Sequence, residues 1–154
     1  MSLSPRIVTL RAPDAHAMQQ LGAALAARLR PGDALLLDGG LGAGKTTLAR
    51  AVIAAFAGER DVPSPTYTLV QIYGADPEVW HADLYRLERP EDVLPLGLLD
   101  VSDEVVSLIE WPERLGRLRP AHALDVEIAF DGTGRSVVLR GDSAWGQRLD
   151  DFEF

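Results

Sequence analysis

A glycine-rich segment of the chain has the residue types and the spacing that bind phosphate groups. Residues 39–46 match the pattern G-x-x-x-x-G-K-[ST] at every fixed position. Glycines let the backbone turn so that successive amide N–H groups point into one concavity and bind phosphate oxygens. In this pattern Lys45 reaches the β- and γ-phosphates, and the hydroxyl of Thr46 is placed to ligate Mg²⁺. We therefore predict a nucleotide-binding P-loop. Its candidate nucleotide-binding residues are Gly39, Gly40, Leu41, Gly42, Ala43, Gly44, Lys45, Thr46 and Thr47.

Two acidic residues follow segments that are typical of strands. A P-loop needs a carboxylate near its Mg²⁺, usually at the C-terminal end of a neighbouring buried strand. Glu110 ends the apolar run 105–109, and Asp83 follows the shorter and more polar run 79–82. Either acid can hold the metal, directly or through water, while the other orients the attacking water. Both are therefore candidates for catalysis and for metal binding, beside Lys45 as a catalytic residue and Thr46 as a metal ligand.

A hydroxyl-bearing segment, Ser-Pro-Thr-Tyr-Thr at 64–68, separates the helix after the P-loop from the next predicted strand. Many P-loop hydrolases carry a nucleotide-sensing segment here, which brings a hydroxyl near Mg²⁺ and the γ-phosphate. A plain Ser/Pro/Thr turn is the alternative. On these residues alone, the turn is the better interpretation.

The three histidines give no sign of a metal site. Their positions, 16, 81 and 122, do not have metal-ligand spacing, so a zinc centre is not predicted. His81 lies two residues before Asp83 and can reach the same face of a sheet. We nevertheless interpret His81 as a packing or surface residue.

The predicted elements place the P-loop between a buried strand over 34–37 and a helix over 45–57, as phosphate binding requires. Further strands are predicted over 6–10, 67–73, 78–82, 105–109, 124–130 and 136–139, and further helices over 15–30 and from Pro90, where Pro95 keeps the helix short. The turn 131–134 predicts a C-terminal hairpin, and the tail 141–154 either docks or frays. We expect one α/β domain that covers residues 1–154.

Composition excludes several classes of protein. Apolar residues make up 47% and charged residues 25% of the 154 residues, which is typical of a folded globular protein. The absence of cysteine excludes a disulfide scaffold and a thiolate metal site, and it fits a reducing compartment such as the cytoplasm. A net charge of −8 disfavours direct binding of nucleic acid. The sequence shows neither an apolar run of membrane-spanning length nor a signal peptide, so we expect a cytoplasmic protein without a membrane partner.

Four sequence blocks, taken together, resemble the TsaE family (also called YjeE), small bacterial ATPases of tRNA threonylcarbamoyladenosine synthesis. The blocks are LGAGKTT at 41–47, SPTYTLV at 64–70, HADLYRL at 81–87 and IEWP at 109–112. The P-loop alone is generic, whereas the four blocks in this order are specific. The resemblance implies a three-layer P-loop NTPase fold with a mainly parallel sheet, and ATP and Mg²⁺ as ligands.

The resemblance also implies roles for residues of this chain. In the family, the acid of the last block is associated with Mg²⁺, which corresponds to Glu110, and Asp83 is a second acid near the nucleotide. The second block is switch-like, which makes Ser64, Thr66 and Thr68 candidate sensors of the γ-phosphate. Family members also contact nucleotide from the N-terminal segment and the C-terminal hairpin, and the candidates for these contacts are Ala12, Pro13 and Arg135.

The implied partners are TsaD and TsaB, which transfer threonylcarbamoyl onto N6 of A37 in tRNAs that read ANN codons. The family's ATPase cycle is thought to reset that complex between turnovers, a role that suits an acidic protein acting on proteins. Two alternatives remain open: a small-molecule kinase on the same fold, and a scaffold that binds nucleotide without hydrolysing it. A kinase usually needs an arginine-rich lid, and the chain's one arginine cluster beyond Trp111 is Arg114, Arg117 and Arg119.

Overall fold

The computed structural model describes residues 5–58, 69–74, 76–150 and 152–154. The strands are β1 (Arg6–Ala12), β2 (Ala34–Asp38), β3 (Val70–Tyr73), β4 (Val79–Asp83), β5 (Val106–Glu110), β6 (Leu124–Asp131) and β7 (Gly134–Gly141). The α-helices are α1 (Ala15–Ala26), α2 (Lys45–Ala57) and α3 (Ser143–Arg148), and 3₁₀ segments span Pro90–Leu96 and Pro112–Leu118. Within these ranges no helix is both long enough and apolar enough to cross a membrane. The predicted switch residues Ser64, Thr66 and Thr68 lie outside the described residues.

The seven strands form one sheet in the order β1-β7-β6-β2-β5-β4-β3. The four central strands, β6, β2, β5 and β4, pair in parallel, whereas β7 with both its neighbours and β3 with β4 pair antiparallel. It follows that all the strands except β3 and β7 run in the same direction. The predictions of a mainly parallel α/β sheet and of a C-terminal antiparallel hairpin are confirmed.

The sheet is covered on both faces, because its central strands are apolar on both sides. Leu35 and Leu37 of β2 pack into the core beneath the α-helices, while Leu36 packs into a second core beneath the 3₁₀ segments. The segment that begins at Pro90 is short, as predicted, since the ring of Pro95 removes a helical donor. The third layer is therefore built from tight 3₁₀ turns, and it leaves the P-loop side of the sheet to α2.

Helix α1 is shorter than predicted. Asp14 caps it, since a carboxylate oxygen accepts the amide of Ala17 at 2.8 Å. The predicted helix 15–30 ends at Ala26, and the last turn tightens: the amides of Arg28 and Leu29 donate to carbonyls three residues back. The apolar positions continue to Leu29 because the tightened turn still directs that side chain into the core.

The C-terminal tail packs against the α-helical face of the sheet. Trp145 is 1% exposed, and Leu149 and Phe152 join the same core. The guanidinium of Arg148 donates to both carboxylate oxygens of Asp33, at 2.5 and 3.0 Å. A largely buried bidentate ion pair thus ties α3 to the residue that precedes β2.

Candidate nucleotide-binding site

The P-loop leaves the carboxyl end of β2 and enters α2 through a backbone that requires glycine. Gly42 and Gly44 have φ angles of +76° and +116°, which strain any L side chain. A Cβ at Gly39 would lie 2.6 Å from the carbonyl oxygen of Ile128, so a side chain there would push β6 away. The loop can therefore wrap closely over the start of α2, whose free amide groups open into it.

Lys45, the first residue of α2, is held inside the loop. Its ammonium donates to the carbonyl oxygens of Gly39 at 2.5 Å and Gly40 at 3.0 Å, and it lies 3.8 Å from the centroid of the Trp111 ring. Burial lowers the pKa of Lys45, while nearby carboxylates, first among them Glu110, oppose that shift. A phosphate oxygen can replace the two carbonyl contacts with a stronger, charge-assisted one.

Glu110 at the end of β5 is the buried acid of the site. It is 2% exposed, and its carboxylate accepts the hydroxyl of Thr46 at 2.9 Å to Oε1 and 3.1 Å to Oε2. His81, which is fully buried, places Nε2 at 2.7 Å from Oε2 of the same carboxylate. The P-loop hydroxyl is thus already joined to an acid from a neighbouring strand.

Asp83 lies beside Glu110, because the parallel register of β4 and β5 pairs these two residues. One of its oxygens accepts the amide of Tyr85 at 3.0 Å. Burial raises the pKa of Asp83, and the charge of Glu110 adds to the rise, while the Tyr85 amide, His81 and Lys45 oppose it. The sheet thus brings together the two acids that the sequence singled out.

A cavity of about 220 Å³ opens above these groups. Its walls are Leu41, Gly42, Ala43, Gly44, Lys45, Thr46, Thr47, Asp83, Glu110 and Trp111. Hydroxyl and carboxylate oxygens form its donor set, which suits Mg²⁺. In the described part of the chain no three His, Cys, Asp or Glu side chains converge as a metal cluster. A metal here would depend on phosphate oxygens and water, which is how Mg²⁺ usually binds with nucleotides.

A second cavity, of about 150 Å³, lies on the other side of the P-loop. It is lined by Ala12, Asp14, Ala15, Met18, Gly42, Ala43, Gly44, Thr47, Thr133, Gly134 and Arg135. Arg135 donates to the carbonyl oxygens of Ala43 at 2.8 Å and Gly42 at 3.3 Å. The start of β7 and the end of β1 are thereby tied to the loop, since Ala12 pairs with Arg135 across the sheet.

The two cavities account for most of the residues that the sequence singled out. Gly39 and Gly40 line neither cavity and instead hold Lys45 through their carbonyls. Ala12 and Arg135 line the second cavity, whereas Pro13 is exposed, does not line it, and lies close to Gly134. Sequence reasoning missed His81 as a polar contact of the site, and it missed several residues of the second cavity: Asp14, Ala15, Met18, Thr133 and Gly134. The predicted hairpin turn at 131–134 was the local sequence signal for the position of Thr133 and Gly134.

The family to which this chain belongs is shown by comparison with known proteins. Residues 12–137 match the family model described as "Threonylcarbamoyl adenosine biosynthesis protein TsaE". The chain belongs to the TsaE family. Its TsaE relatives include the tRNA threonylcarbamoyladenosine biosynthesis protein TsaE of Rickettsia bellii, 40% identical over 68% of this chain and 74% of that protein. The TsaE of Haemophilus influenzae is 34% identical over 89% of this chain and 91% of that protein.

The fold of this TsaE-family protein is also found in a solved structure. The crystal structure of Bacillus subtilis YdiB superposes with a TM-score of 0.79 and covers 96% of this chain and 93% of that one, at 24% identity. The P-loop fold predicted from the four sequence blocks is therefore confirmed. Family membership assigns the protein a role in threonylcarbamoyladenosine biosynthesis.

Proposed function

We propose that this TsaE-family protein is a Mg²⁺-dependent ATPase that acts on a TsaD–TsaB complex and supports its turnover in the modification of A37 in tRNA. The observation that carries the proposal is the contact between Thr46 of the P-loop and the buried carboxylate of Glu110, with Asp83 alongside. A P-loop that only binds nucleotide has no need to bury an acid against its own metal-binding hydroxyl.

ATP binds across both cavities, with its phosphates over Lys45 and the start of α2 and its nucleoside in the cavity beside Arg135. Two features support this placement. Both cavities are lined by Gly42, Ala43, Gly44 and Thr47, so they adjoin each other at the loop. Only the cavity above the loop is lined by Lys45 and the two acids, whereas the other is smaller and lined in part by Ala12, Ala15 and Met18.

The oxygens of Thr46 and Glu110 are the groups of this chain that would hold Mg²⁺ directly, and Asp83 would act beside them through water. The bound ion would supply positive charge at the phosphate oxygens during transfer to water. Lys45 adds a second positive charge after exchanging its carbonyl contacts for phosphate. Trp111, stacked against that ammonium, keeps water from one side of it.

Asp83 orients the attacking water in this proposal. Both oxygens of Glu110 are engaged by Thr46 and His81, whereas the described contacts of Asp83 use one carboxylate oxygen, Oδ1. The burial that raises the pKa of Asp83 makes it a better proton acceptor than an exposed carboxylate.

The arrangement of the arginines disfavours the kinase alternative. Arg117 pairs with Glu91, and Arg119 pairs with Asp125. Arg114 lies 5.9 Å from the ring centroid of Tyr85. None of the three lines the cavity above the P-loop.

Reconstitution with TsaD and TsaB tests the proposal. With this protein and ATP present, the complex should modify many tRNA equivalents, while without the protein it should stop after about one turnover. Lys45→Ala should behave as if no protein were added. Multiple turnover in the absence of ATP hydrolysis would instead support the nucleotide-binding scaffold, and transfer of phosphate to a metabolite would support the kinase.

A further inference from the structure

We propose that His81 is a positioning residue that fixes the carboxylate of Glu110 against the P-loop and thereby sets the Mg²⁺ dependence of nucleotide binding. The inference deepens the proposed function and rests on it, because it takes Glu110 as the acid of the metal site. No sequence pattern predicts this role for His81, since it shows no metal-ligand spacing with the other histidines.

The sheet brings His81 to Glu110 by strand register. His81 and Asp83 lie two residues apart on β4, so both side chains point to the same face. In the register with β5, His81 pairs with Leu108 and Asp83 pairs with Glu110. The imidazole therefore approaches the carboxylate diagonally, from the neighbouring strand and beneath α2, at 2.7 Å.

The contact is buried and directional. His81 is 0% exposed and Glu110 is 2% exposed, so water does not compete for the hydrogen bond. The other ring nitrogen, Nδ1, is also buried and has no hydrogen-bond partner within the described ranges. Since a carboxylate oxygen only accepts, the hydrogen bond to Glu110 requires Nε2 to be the donor.

The two carboxylate oxygens of Glu110 differ in their hydrogen bonds. Oε2 accepts from His81, while Oε1 makes the shorter of the two contacts with the Thr46 hydroxyl, 2.9 Å against 3.1 Å. Oε2 has two partners, His81 and Thr46, whereas Oε1 has only Thr46 among the described residues and keeps a lone pair for the metal site. Without the His81 donor, the carboxylate is free to rotate about its last torsion, which is a soft one, and to lose its alignment with Thr46. Groups that orient a metal's ligands in this way commonly change metal affinity by about 10- to 100-fold when they are removed.

Three substitutions at position 81 and one control separate positioning from packing. His81→Leu removes the donor and keeps an apolar filler, whereas His81→Gln puts an amide donor close to the position of Nε2. His81→Asn keeps a polar group that is too short to reach Glu110 from β4. Ser107→Ala is the matched control, since Ser107 is 1% exposed on β5, its hydroxyl lacks a partner within the described ranges, and it points to the opposite face from Glu110.

The experiment is calorimetric titration with a non-hydrolysable ATP analogue, with Mg²⁺ and with a chelator, after thermal unfolding has shown that each variant folds. The Leu and Asn variants should lose about 10-fold or more of the affinity gained from Mg²⁺, with Mg²⁺-free binding unchanged. The Gln variant should recover most of the gain, and Ser107→Ala should match the unsubstituted protein. If Leu does not fold, the Gln and Asn pair makes the same comparison.

The inference is overturned if the Leu or Asn variant keeps the full Mg²⁺ gain, or if its affinity falls equally with and without Mg²⁺, which is what a packing role predicts. Failure of the proposed function gives a different result, because the unsubstituted protein would then gain nothing from Mg²⁺.

Discussion

The two sides of the P-loop are built in different ways. The side with the smaller cavity, which is the nucleoside side in the proposed binding mode, is assembled from the end of β1, the start of α1 and the hairpin turn, and Arg135 ties them to loop carbonyls. The one acid lining it, Asp14, caps α1. The phosphate side instead concentrates Lys45, Glu110 and Asp83 on the ends of parallel strands and of α2. The nucleoside side is thus distinguished by its shape, and the phosphate side is distinguished by buried charge that is not balanced.

The phosphate side carries an unfavourable free energy of burying charge that the nucleoside side does not. A carboxylate that is 2% exposed is unfavourable unless it is well paired. Among the described residues, the side-chain hydrogen bonds to the carboxylate of Glu110 come from Thr46 and His81, at 3.1 Å or less. Cation binding can relieve that cost, so the phosphate side should respond strongly to Mg²⁺ and to changes of charge, while the nucleoside side should respond to changes of fit.

Lys45→Ala is expected to give the largest effect. It removes the buried ammonium that contacts the phosphates in the proposed binding mode, so ATP affinity should fall by about 100-fold or more. Calorimetry measures this loss. Arg50→Ala, which removes an exposed positive charge from the same helix, is the control and should bind ATP normally. Equal losses in the two variants would mean that general charge, and not the loop contact, sets affinity.

Glu110→Gln should give the next largest effect, and this effect should be on the rate of hydrolysis. The amide keeps the volume but loses the charge that holds the metal, so hydrolysis with TsaD and TsaB present should fall by roughly 100-fold. Nucleotide binding without Mg²⁺ should not weaken, since the amide adds no steric barrier and removes a negative charge beside the phosphates. A phosphate-release assay and a titration in chelator give the two values. Normal hydrolysis by this variant would show that another residue holds the metal.

Arg135→Ala tests the nucleoside side. It removes two hydrogen bonds between β7 and the loop, which should lower nucleotide affinity by about 5- to 10-fold. The loss should be the same with and without Mg²⁺, because Arg135 does not line the phosphate cavity. Arg140→Ala, on the same strand but paired with Glu127 at the surface, should leave affinity unchanged. A loss that appears only with Mg²⁺ would contradict the separation of the two sides.

The smallest expected effect is that of Asp83→Asn on stability, which is separate from the loss of hydrolysis that its role in orienting water predicts. Burial raises the pKa of Asp83, so the folded state binds this proton more tightly than the unfolded state does. Above both pKa values the charge therefore destabilises the fold, and removing it should raise the Tm at pH 7 by about 1–2 °C. The gain should shrink as pH falls through the raised pKa and vanish below the ordinary aspartate pKa. Thermal unfolding from pH 3 to 8 measures it, and a lower Tm at neutral pH would contradict the prediction.

Local patterns were sufficient to predict much of the fold and the phosphate side. The glycine spacing at 39–46, the apolar run that ends at Glu110 and the turn at 131–134 are each contained in a few consecutive residues. Helix α1 was predicted too long because apolar spacing does not distinguish a helix from the tight turn that continues it. The third layer was harder to predict, since its 3₁₀ form depends on Pro95 and on the left-handed backbone of Gly97.

Local sequence patterns predicted the residues that can do chemistry, which are the P-loop and the two acids at strand ends, and they predicted the alternation of strands and helices. Two contacts could be seen only in the folded chain: His81, 29 residues before Glu110, contacts that acid, and Arg135 reaches the loop carbonyls 92 and 93 residues away. The physical reason is that periodicity and turn chemistry act over a few residues. Strand order, by contrast, is set by which apolar faces pack together across the whole chain.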